Sequence, residues 1–512
     1  MVSRVTTVAF SGVEALPVDV QVMVAPGKVG MSIVGLPDKA VAESRDRVQA
    51  ALHSSGLAMP AKKVTVNLSP ADLPKEGSHY DLPIALGLMV ALGALPADAL
   101  ADFIAIGELS LDGAIAHVAG TLPAAMAANA TDRGLICPES TGSEAAWAGA
   151  DMEILAPSSL LALANHFKGS QVLTRPVPMR PGNGESLPDL ADIRGQEVAK
   201  RALEIAAAGG HNLLMVGPPG SGKSMLAARL PSILPPLEAR ELLEVSMINS
   251  VAGELSNGEL TSQRPFRSPH HSASMAALVG GGLRARPGEV SLAHHGVLFL
   301  DELPEFPPNV LDSLRQPIEN GESVIARANH RVSYPAQFQL VAAMNPCKCG
   351  QYGTPGHTCK RGDRCASDYQ GRLSGPLLDR IDLRVDVPAV TASDLIAPAD
   401  AEPSSVVAAR VAKARDVQLA RYADGNNGTS GAALRQTNAA VSSTLIEEYL
   451  GLDDPAKDLL KRAADTMAFS ARAYHRILEV ARTIADLDGS ENVGRLHLAE
   501  AISLRTSTIG HA

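Results

Sequence analysis

One eight-residue stretch restricts the fold of this 512-residue chain more than any other feature. Residues 217 to 224 read GPPGSGKS and follow HNLLMV, a short apolar run typical of a buried strand. They fit the pattern G-x-x-x-x-G-K-[ST], in which a glycine-rich loop between a strand and a helix wraps around phosphate groups. The stretch therefore predicts an α/β protein that binds and hydrolyses a nucleoside triphosphate.

The residue types in this loop have separate parts in such a site. Three glycines let the backbone turn its N–H groups onto phosphate oxygens. Lys223 is expected to contact the β and γ phosphates of ATP, and Ser224 to ligate Mg²⁺. The predicted cofactor-binding residues are Gly217, Pro218, Pro219, Gly220, Ser221, Gly222, Lys223, Ser224 and Asp301.

Two further apolar runs end in polar side chains that suit the same chemistry. GVLFLDE, at 296 to 302, ends in Asp301, expected in the Mg²⁺ shell, and Glu302, expected to orient the attacking water. QLVAAMNP, at 339 to 346, places Asn345 at a strand tip. There it would hydrogen-bond the water or the γ-phosphate, unless it is a turn-forming asparagine before proline.

Two arginines downstream are candidates for stabilising transition-state charge. Arg380 lies between two acids in GPLLDRIDLRV, and Arg472 lies on a predicted helix in SARAYHR. Either is a solvated surface residue or an arginine delivered to the γ-phosphate from a neighbouring subunit, which requires a ring. The predicted catalytic residues are Glu302, Asn345, Arg380 and Arg472.

The length favours about three domains, and three regions differ in pattern. Residues 1–168 alternate short β-like runs with Ala-rich helical stretches, which indicates an α/β or α+β domain. Residues 169–190 are rich in Pro, Gly and polar residues, as in a linker. Residues 191–390 alternate strands and helices, the pattern of a parallel sheet, and residues 391–512 are helical.

Composition and charge limit the cellular setting. The N-terminus has no signal-peptide pattern, and the longest apolar run, 82–97, is interrupted by two prolines and two glycines, which favours a buried helix. Four of the five cysteines fall between 347 and 365, a pattern that does not resemble a secreted disulfide framework, and we expect a cytoplasmic protein without a membrane partner. The net charge of −10 argues against a whole-surface nucleic-acid binder but permits a local basic channel.

The clustered cysteines and the paired histidines raise the question of a second metal. Four thiolates in CKCGQYGTPGHTCKRGDRC would enclose a structural Zn²⁺, with His357 as a substitute ligand; the alternative is a loop of reduced cysteines. Adjacent histidines on a strand point in opposite directions, so His270–His271 and His294–His295 are expected to make hydrogen bonds instead. The isolated Cys137 is expected in the core. The candidate zinc ligands are Cys347, Cys349, Cys359 and Cys365.

Longer stretches resemble one family. FRSPHHSASMAALVGGG, RPGEVSLAHHGVLFLDELPEF and RLSGPLLDRIDL are similar to the AAA+ ATPases of the magnesium-chelatase-like group, and most closely to its YifB/ComM family. The opening SGVEALPVDV is similar as well, so the resemblance covers nearly the whole chain. It implies an α/β fold with a Lon-protease-like (ribosomal S5 domain 2-like) N-terminal domain, a central AAA+ P-loop ATPase core and a C-terminal helical lid.

The resemblance also implies roles for individual residues. The glycine-rich loop matches Walker A, and the acidic pair after the second strand matches Walker B. Asn345 matches sensor 1, Arg380 the trans-acting arginine finger, and Arg472 the sensor 2 arginine, acting on its own subunit's nucleotide or on a neighbour's.

The family carries two loops that line the central pore in hexameric relatives that move DNA. One is inserted in the second helix, here 266–290, and the other is a hairpin before sensor 1, here 322–338. Arginines in these loops are candidates for contacts with DNA phosphates, against the alternative of solvated surface arginines. The DNA-binding candidates are Arg284, Arg286, Arg327 and Arg331.

Relatives of this family include a branch-migration helicase of natural transformation. The resemblance therefore predicts a homo-hexameric, ATP- and Mg²⁺-dependent motor on single-stranded, forked or branched DNA. The alternative is a chelatase-type or protein-remodelling ATPase that acts on a protein partner. Proteolysis of the Lon type would need a nucleophilic Ser and a Lys that acts as its base. Ser78 lies near the expected position of the nucleophile, although His79 lies nearer to it. Ala124 occupies the expected position of the lysine base.

Overall fold

The computed structural model describes residues 2–96, 98–179, 186–255, 258–282, 285–326, 331–350, 352, 359, 363–391, 401–423, 437–467 and 469–505. Within these residues the chain forms two large sheets, one in its N-terminal third and one in its middle, followed by helices. No helix in the described ranges has both the length and the apolar character needed to cross a membrane.

The N-terminal sheet, together with its helices, is called the N-terminal unit below. It has seven strands in the order β3-β4-β2-β1-β5-β8-β9, and β1 and β2 form a long antiparallel hairpin. Residues 82–91 of the apolar run lie in a helix that is buried from Asp81 to Met89, which confirms the predicted buried helix for this part of the run. The strands of the unit, among which β6 and β7 form a separate antiparallel pair, are β1 (Val2–Ser11), β2 (Glu14–Ala25), β3 (Gly30–Val34), β4 (Lys63–Ser69), β5 (Phe103–Ala105), β6 (Glu108–Leu109), β7 (Ile115–Ala116), β8 (Gly134–Ile136) and β9 (Ile154–Leu155). The helices are α1 (Lys39–Ser54), α2 (Asp81–Ala91), α3 (Thr121–Asn129), α4 (Gly142–Ala145) and α5 (Leu160–Phe167).

The central sheet has five parallel strands in the order β11-β12-β15-β10-β16, as the alternation of strands and helices predicts. Strands β10 and β12 consist wholly of buried apolar residues, which suits a sheet covered on both faces. Strands β13 and β14 form a separate antiparallel hairpin. The strands are β10 (Leu213–Val216), β11 (Phe266–Arg267), β12 (Val297–Leu300), β13 (Glu322–Ala326), β14 (Arg331–Pro335), β15 (Gln339–Met344) and β16 (Leu383–Asp386). The helices are α6 (Glu197–Gly209), α7 (Lys223–Ile233), α8 (Ala239–Ala252), α9 (Met275–Val279), α10 (Glu289–Leu292), α11 (Pro308–Ser313), α12 (Arg315–Asn320), α13 (Asp363–Gln370) and α14 (Gly375–Leu378).

The C-terminal helices share a core with the central sheet. Val411 and Ile484 belong to the same buried cluster as Leu213 and Val341, so these helices cover one face of the sheet. Arg482 is fully buried among them because its guanidinium donates to the carboxylate of Asp486 and to nearby carbonyl oxygens. The helices are α15 (Ser404–Ala423), α16 (Ser443–Glu448), α17 (Asp454–Met467), α18 (Ala471–Leu487) and α19 (Arg495–Ser503).

Candidate nucleotide site

The phosphate-loop residues lie between the end of β10 and the start of α7, at the carboxyl edge of the central sheet. Gly217 must lack a side chain, since a Cβ there would lie 2.1 Å from the carbonyl oxygen of Val387. Gly220 and Gly222 have φ values of +77° and +91°, and a Cβ on either would meet nothing within 4 Å. The loop is therefore tight on its sheet side and open at Gly220 and Gly222, as a phosphate-binding loop requires.

Lys223 is buried where the loop meets the end of β15. Its ammonium donates to the carbonyl oxygens of Gly217 at 2.8 Å and Pro218 at 2.9 Å, and to Oδ1 of Asn345 at 3.3 Å. Burial lowers the pKa of Lys223, and the nearby carboxylates of Asp301 and Glu302 oppose that shift. The structure thus brings together the predicted loop lysine and the predicted strand-tip asparagine.

The two acidic residues after β12 face the start of α7. Asp301 accepts a 2.7 Å hydrogen bond from the Ser224 hydroxyl and another from the backbone N–H of Glu302. Mg²⁺ prefers oxygen ligands. The Ser224 hydroxyl and the Asp301 carboxylate supply such oxygens and lie close enough to bind the same ion. The Glu302 side chain is half exposed, and Nδ1 of His271 lies 3.5 Å from its carboxylate.

Both predicted arginines contact one glutamate that the sequence analysis missed. Arg380 is buried and donates to the carboxylate of Glu319 and to the carbonyl oxygen of Pro376. Arg472, at the start of α18, donates to the same Glu319 oxygen at 3.2 Å. The structure therefore places the two arginines side by side in one chain, joined by a carboxylate at the end of α12.

Two more contacts around the loop escaped the sequence analysis. Gln196 donates to the carbonyl oxygens of Ser221 and Pro388, the second of which is 192 residues away. The sequence marks His271 only as half of a histidine pair, whereas the structure places it beside Glu302. No local spacing reveals contacts of this kind, because they join distant parts of the chain.

The prediction that adjacent histidines point in opposite directions is wrong for His294 and His295. Both donate through Nε2 toward the same carboxylate of Glu244, at 3.3 and 2.8 Å, and their rings lie 3.8 Å apart. They precede β12 in a turn, where His295 has a φ of +55°, so strand alternation does not apply. The expected hydrogen-bonding role is confirmed. Nδ1 of His294 accepts from the N–H of Gln337, which leaves its Nε2 protonated and unsuited to a metal.

The four clustered cysteines come together beyond the end of β15. Their Sγ atoms all lie within 4.8 Å of one another, with Cys349 at 3.1 Å from Cys347 and 3.3 Å from Cys359. This loop packs against the phosphate loop, since a Cβ at Gly350 would lie 2.5 Å from Pro219. His357 lies outside the described residues. The isolated Cys137 is buried in the N-terminal core, as predicted, and burial raises the pKa of its thiol to about 12.

Two of the predicted DNA-binding arginines can be located. Arg286 is exposed at a narrow turn, where its backbone pairs with Gly281. Arg331 is exposed at the start of β14, and the predicted hairpin before β15 is confirmed. Arg284 and Arg327 lie outside the described residues.

The residues considered for proteolysis do not form a nucleophile and base pair. The Ser78 hydroxyl donates to the carboxylate of Glu108, and Ala124 is buried on α3. Lys75, in the same loop as Ser78, is buried and donates to the carbonyl oxygen of Pro70. His79 is also buried and bonded to the carbonyl oxygen of Val8, and burial lowers its pKa to about 4.

The parallel sheet and the groups at its carboxyl edge define a P-loop nucleotide-binding protein. Three family profiles match the chain: "Magnesium chelatase, subunit ChlI" at residues 189–395, "Subunit ChlI of Mg-chelatase" at 20–141, and "Magnesium chelatase, subunit ChlI C-terminal" at 401–505.

Similar proteins extend this comparison over nearly the full length. The chain is 45% identical to competence protein ComM of Haemophilus influenzae, over 97% of this chain and 96% of that protein. It is 43% identical to the uncharacterized protein YifB of Escherichia coli, over 98% and 97% of the two chains. The magnesium-chelatase 38 kDa subunit of Rhodobacter capsulatus is 27% identical over 62% of this chain and 85% of its own. The chain belongs to the YifB/ComM family of magnesium-chelatase-like AAA+ proteins, and this membership implies ATPase activity with ATP and Mg²⁺.

Proposed function

We propose that the protein is an ATP-driven DNA motor, a hexameric branch-migration helicase that acts in recombination or natural transformation. The observation that carries the ATPase part is the meeting of Lys223, Ser224, Asp301 and Asn345 at one sheet edge. The DNA part is supported by 45% identity to a competence protein and by exposed arginines on two loops of the central region.

The residues present fit ATP and Mg²⁺. The open side of the glycine loop would receive the phosphates, and Lys223 would exchange its carbonyl partners for phosphate oxygens. Ser224 and Asp301 would hold Mg²⁺, which neutralises charge on the β and γ phosphates. Glu302 would orient the attacking water and accept its proton, and Asn345 would hydrogen-bond the water or the γ-phosphate.

The arginine pair supports a ring. Arg380 would act as the finger that contacts a neighbouring subunit's γ-phosphate, and Arg472 as the sensor on the C-terminal helices. Both are held by Glu319 in the chain as it stands, so nucleotide would compete with that carboxylate for them. Six such subunits would place the loops around a central DNA strand.

DNA would be gripped through its phosphates. The exposed Arg286 and Arg331, with Arg284 and Arg327 on the same loops, would contact the backbone without reading bases. Such contacts need only a local positive channel, which a chain of net charge −10 can carry.

We propose a division of the chain that follows its two sheets. Residues 1–168 form a Lon-protease-like domain without a catalytic dyad, 169–190 a linker, 191–390 the AAA+ core, and 391–512 a helical lid. A ring motor of this kind works where ATP and DNA are available, so the proposal includes a cytoplasmic location.

The cysteine cluster supports a structural zinc site. Tetrahedral Zn²⁺ with four thiolates at about 2.3 Å needs sulfur atoms roughly 3.8 Å apart. The four Sγ atoms within 4.8 Å of one another would reach that geometry with small adjustments. Zinc there would fix the loop that packs against Pro219 and follows Asn345.

A second candidate function is a chelatase-type or protein-remodelling ATPase with a protein partner. Its support is the similarity to a magnesium-chelatase subunit over 62% of this chain. This relative covers 62% of the chain and leaves 38% unmatched, and the competence protein, which covers 97% of the chain, matches most of that remainder, so the DNA motor is favoured.

The test is ATP hydrolysis by the full chain with no DNA, single-stranded DNA, forked DNA and a four-way junction, with strand displacement scored in the same reactions. We expect DNA to stimulate hydrolysis and displacement to require ATP. Glu302→Gln should bind ATP and hydrolyse it about 100-fold more slowly or worse. Hydrolysis that ignores every DNA, without displacement, would overturn the motor and favour the protein-partner function.

A further inference from the structure

The first turn of the N-terminal unit packs directly against the hairpin formed by β13 and β14. Gly12 joins β1 to β2 with a φ of +66°, and it is buried. A Cβ at this position would lie 2.3 Å from the carbonyl oxygen of Ser333, in β14. Only glycine lets the two backbones approach so closely, so this contact is built into the turn.

The next residue of the turn packs into a small apolar cluster, which we call the loop-root cluster. Its buried members are Ala285, Val332 and Tyr334, with Val13, Val251 and Ile325 packed against them. The Tyr334 hydroxyl also donates to the carbonyl oxygen of Ala285 at 2.8 Å. The cluster therefore joins four parts of the chain: the N-terminal turn, the end of α8, the inserted loop and the hairpin.

A second contact holds the end of α8 against the N-terminal unit. The Ser250 hydroxyl donates to the buried carboxylate of Glu144 at 2.5 Å, and its carbonyl oxygen accepts from the N–H of Gly120 at 2.9 Å. Beyond α8, the indole N–H of Trp147 donates to the carbonyl oxygen of Gly258. The N-terminal unit thus contacts both the hairpin and the segment that leads into the inserted loop.

Both described candidate arginines adjoin a member of the loop-root cluster. Arg286 follows Ala285, and Arg331 precedes Val332. A shift of one arginine's backbone relative to the other would therefore disturb the packing of the cluster. The N-terminal unit packs against the same cluster, so it limits the movement of both.

We propose that the N-terminal unit braces the two arginine-bearing loops, so that they contact DNA as one rigid surface. This inference rests on the proposed function, and it gives the N-terminal unit a positioning role. A unit that only stabilised the chain would leave DNA affinity unchanged in any variant that folds.

The sharpest test is Gly12→Ala in the full chain, with Gly56→Ala as its control. Gly56 has a similar φ of +80°, but a Cβ there meets nothing within 4 Å, so the control carries the same backbone strain without the collision. Val13→Ala provides a milder second variant, because it only trims the apolar contact. Each protein is measured for hydrogen exchange of residues 322–335, affinity for single-stranded DNA, and ATPase rate with and without DNA.

We expect Gly12→Ala to speed hydrogen exchange in the hairpin and to weaken DNA binding about tenfold, equivalent to ~1.4 kcal/mol. Basal ATPase should stay within about twofold of the wild type, since Gly12 lies outside the nucleotide site. Val13→Ala should move both readouts in the same direction by less, and Gly56→Ala should move neither.

Unchanged hairpin exchange or unchanged DNA affinity in both Gly12→Ala and Val13→Ala would overturn the brace. A wild-type protein that binds no DNA would instead overturn the proposed function. Hydrogen exchange would then still decide whether the N-terminal unit holds the hairpin, so the two failures can be told apart.

Discussion

Glu319 holds two positive charges with one carboxylate. The Arg380 side chain is only 6% exposed, whereas those of Glu319 and Arg472 are 44% and 47% exposed. Removing the carboxylate leaves a buried guanidinium without its counter-charge, while removing Arg472 breaks only an exposed contact and leaves Glu319 paired with Arg380.

We therefore expect Glu319→Gln to lower the free energy of unfolding by about 1–3 kcal/mol. Arg472→Gln, the matched control at the other end of the exposed pair, should lower it by less than about 1 kcal/mol. Denaturant unfolding followed by circular dichroism measures both. Equal losses of unfolding free energy in the two variants would contradict the expectation that Arg380 depends on Glu319 more than Arg472 does.

A second residue-scale prediction concerns Glu144, which accepts from Ser250 across the N-terminal contact. Burial raises the pKa of this carboxyl above its ordinary value, although hydrogen bonds from Ser250 and Leu122 oppose the shift. The folded protein therefore binds the proton more tightly than the unfolded chain. The stability that protonation of Glu144 contributes is complete below the ordinary pKa and declines as the pH rises through the folded pKa.

Glu144→Gln keeps a hydrogen-bond acceptor and removes the titrating group, so its melting temperature should fall less than that of the wild type as the pH rises above the ordinary pKa of a glutamate. Glu139→Gln, at an exposed carboxyl in the same segment, should follow the wild type. Melting curves of the two variants and the wild type, measured over this pH range, test the prediction. Parallel pH profiles for Glu144→Gln and the wild type would show that Glu144 titrates alike in both states.

At the scale of elements, the cysteine loop makes a prediction independent of activity. The purified protein should contain about one zinc ion per chain. Cys359→Ser should lose it, and Cys137→Ser, in the N-terminal core, should keep it. Metal analysis by mass spectrometry after gel filtration is the measurement. Full zinc content in Cys359→Ser, or none in the wild type, would favour the alternative of a loop of reduced cysteines.

Elements whose signal is local were predictable from the sequence. The strand, glycine loop and helix around Lys223 follow a fixed spacing, and parallel strands must gather Asp301 and Asn345 at one edge. Contacts between distant segments were not predictable, as Glu319 and the turn at Gly12 illustrate. The histidine pair failed for another reason, because a turn with a positive φ replaced the strand on which the argument depended.

At the scale of the whole molecule, the arrangement of Arg380 bears on assembly. A finger that acts on a neighbouring nucleotide makes every active site the joint product of two subunits. Such a site can be rebuilt from two inactive proteins, which a site made within one chain cannot.

Under the proposed function, Arg380→Gln would retain the residues for ATP and lack the finger, while Glu302→Gln would retain the finger and lack the residue that orients the attacking water. Each should be nearly inactive alone. In rings formed from equal amounts of both, about a quarter of the interfaces would join an intact loop to an intact finger, so mixing should restore roughly that fraction of wild-type hydrolysis. Native mass spectrometry would establish that mixed rings form, and Lys223→Ala mixed with Glu302→Gln is the control that should stay inactive. Mixed rings of the first pair without recovered activity would place Arg380 in its own subunit's site, and the ring would then need another explanation than shared catalysis.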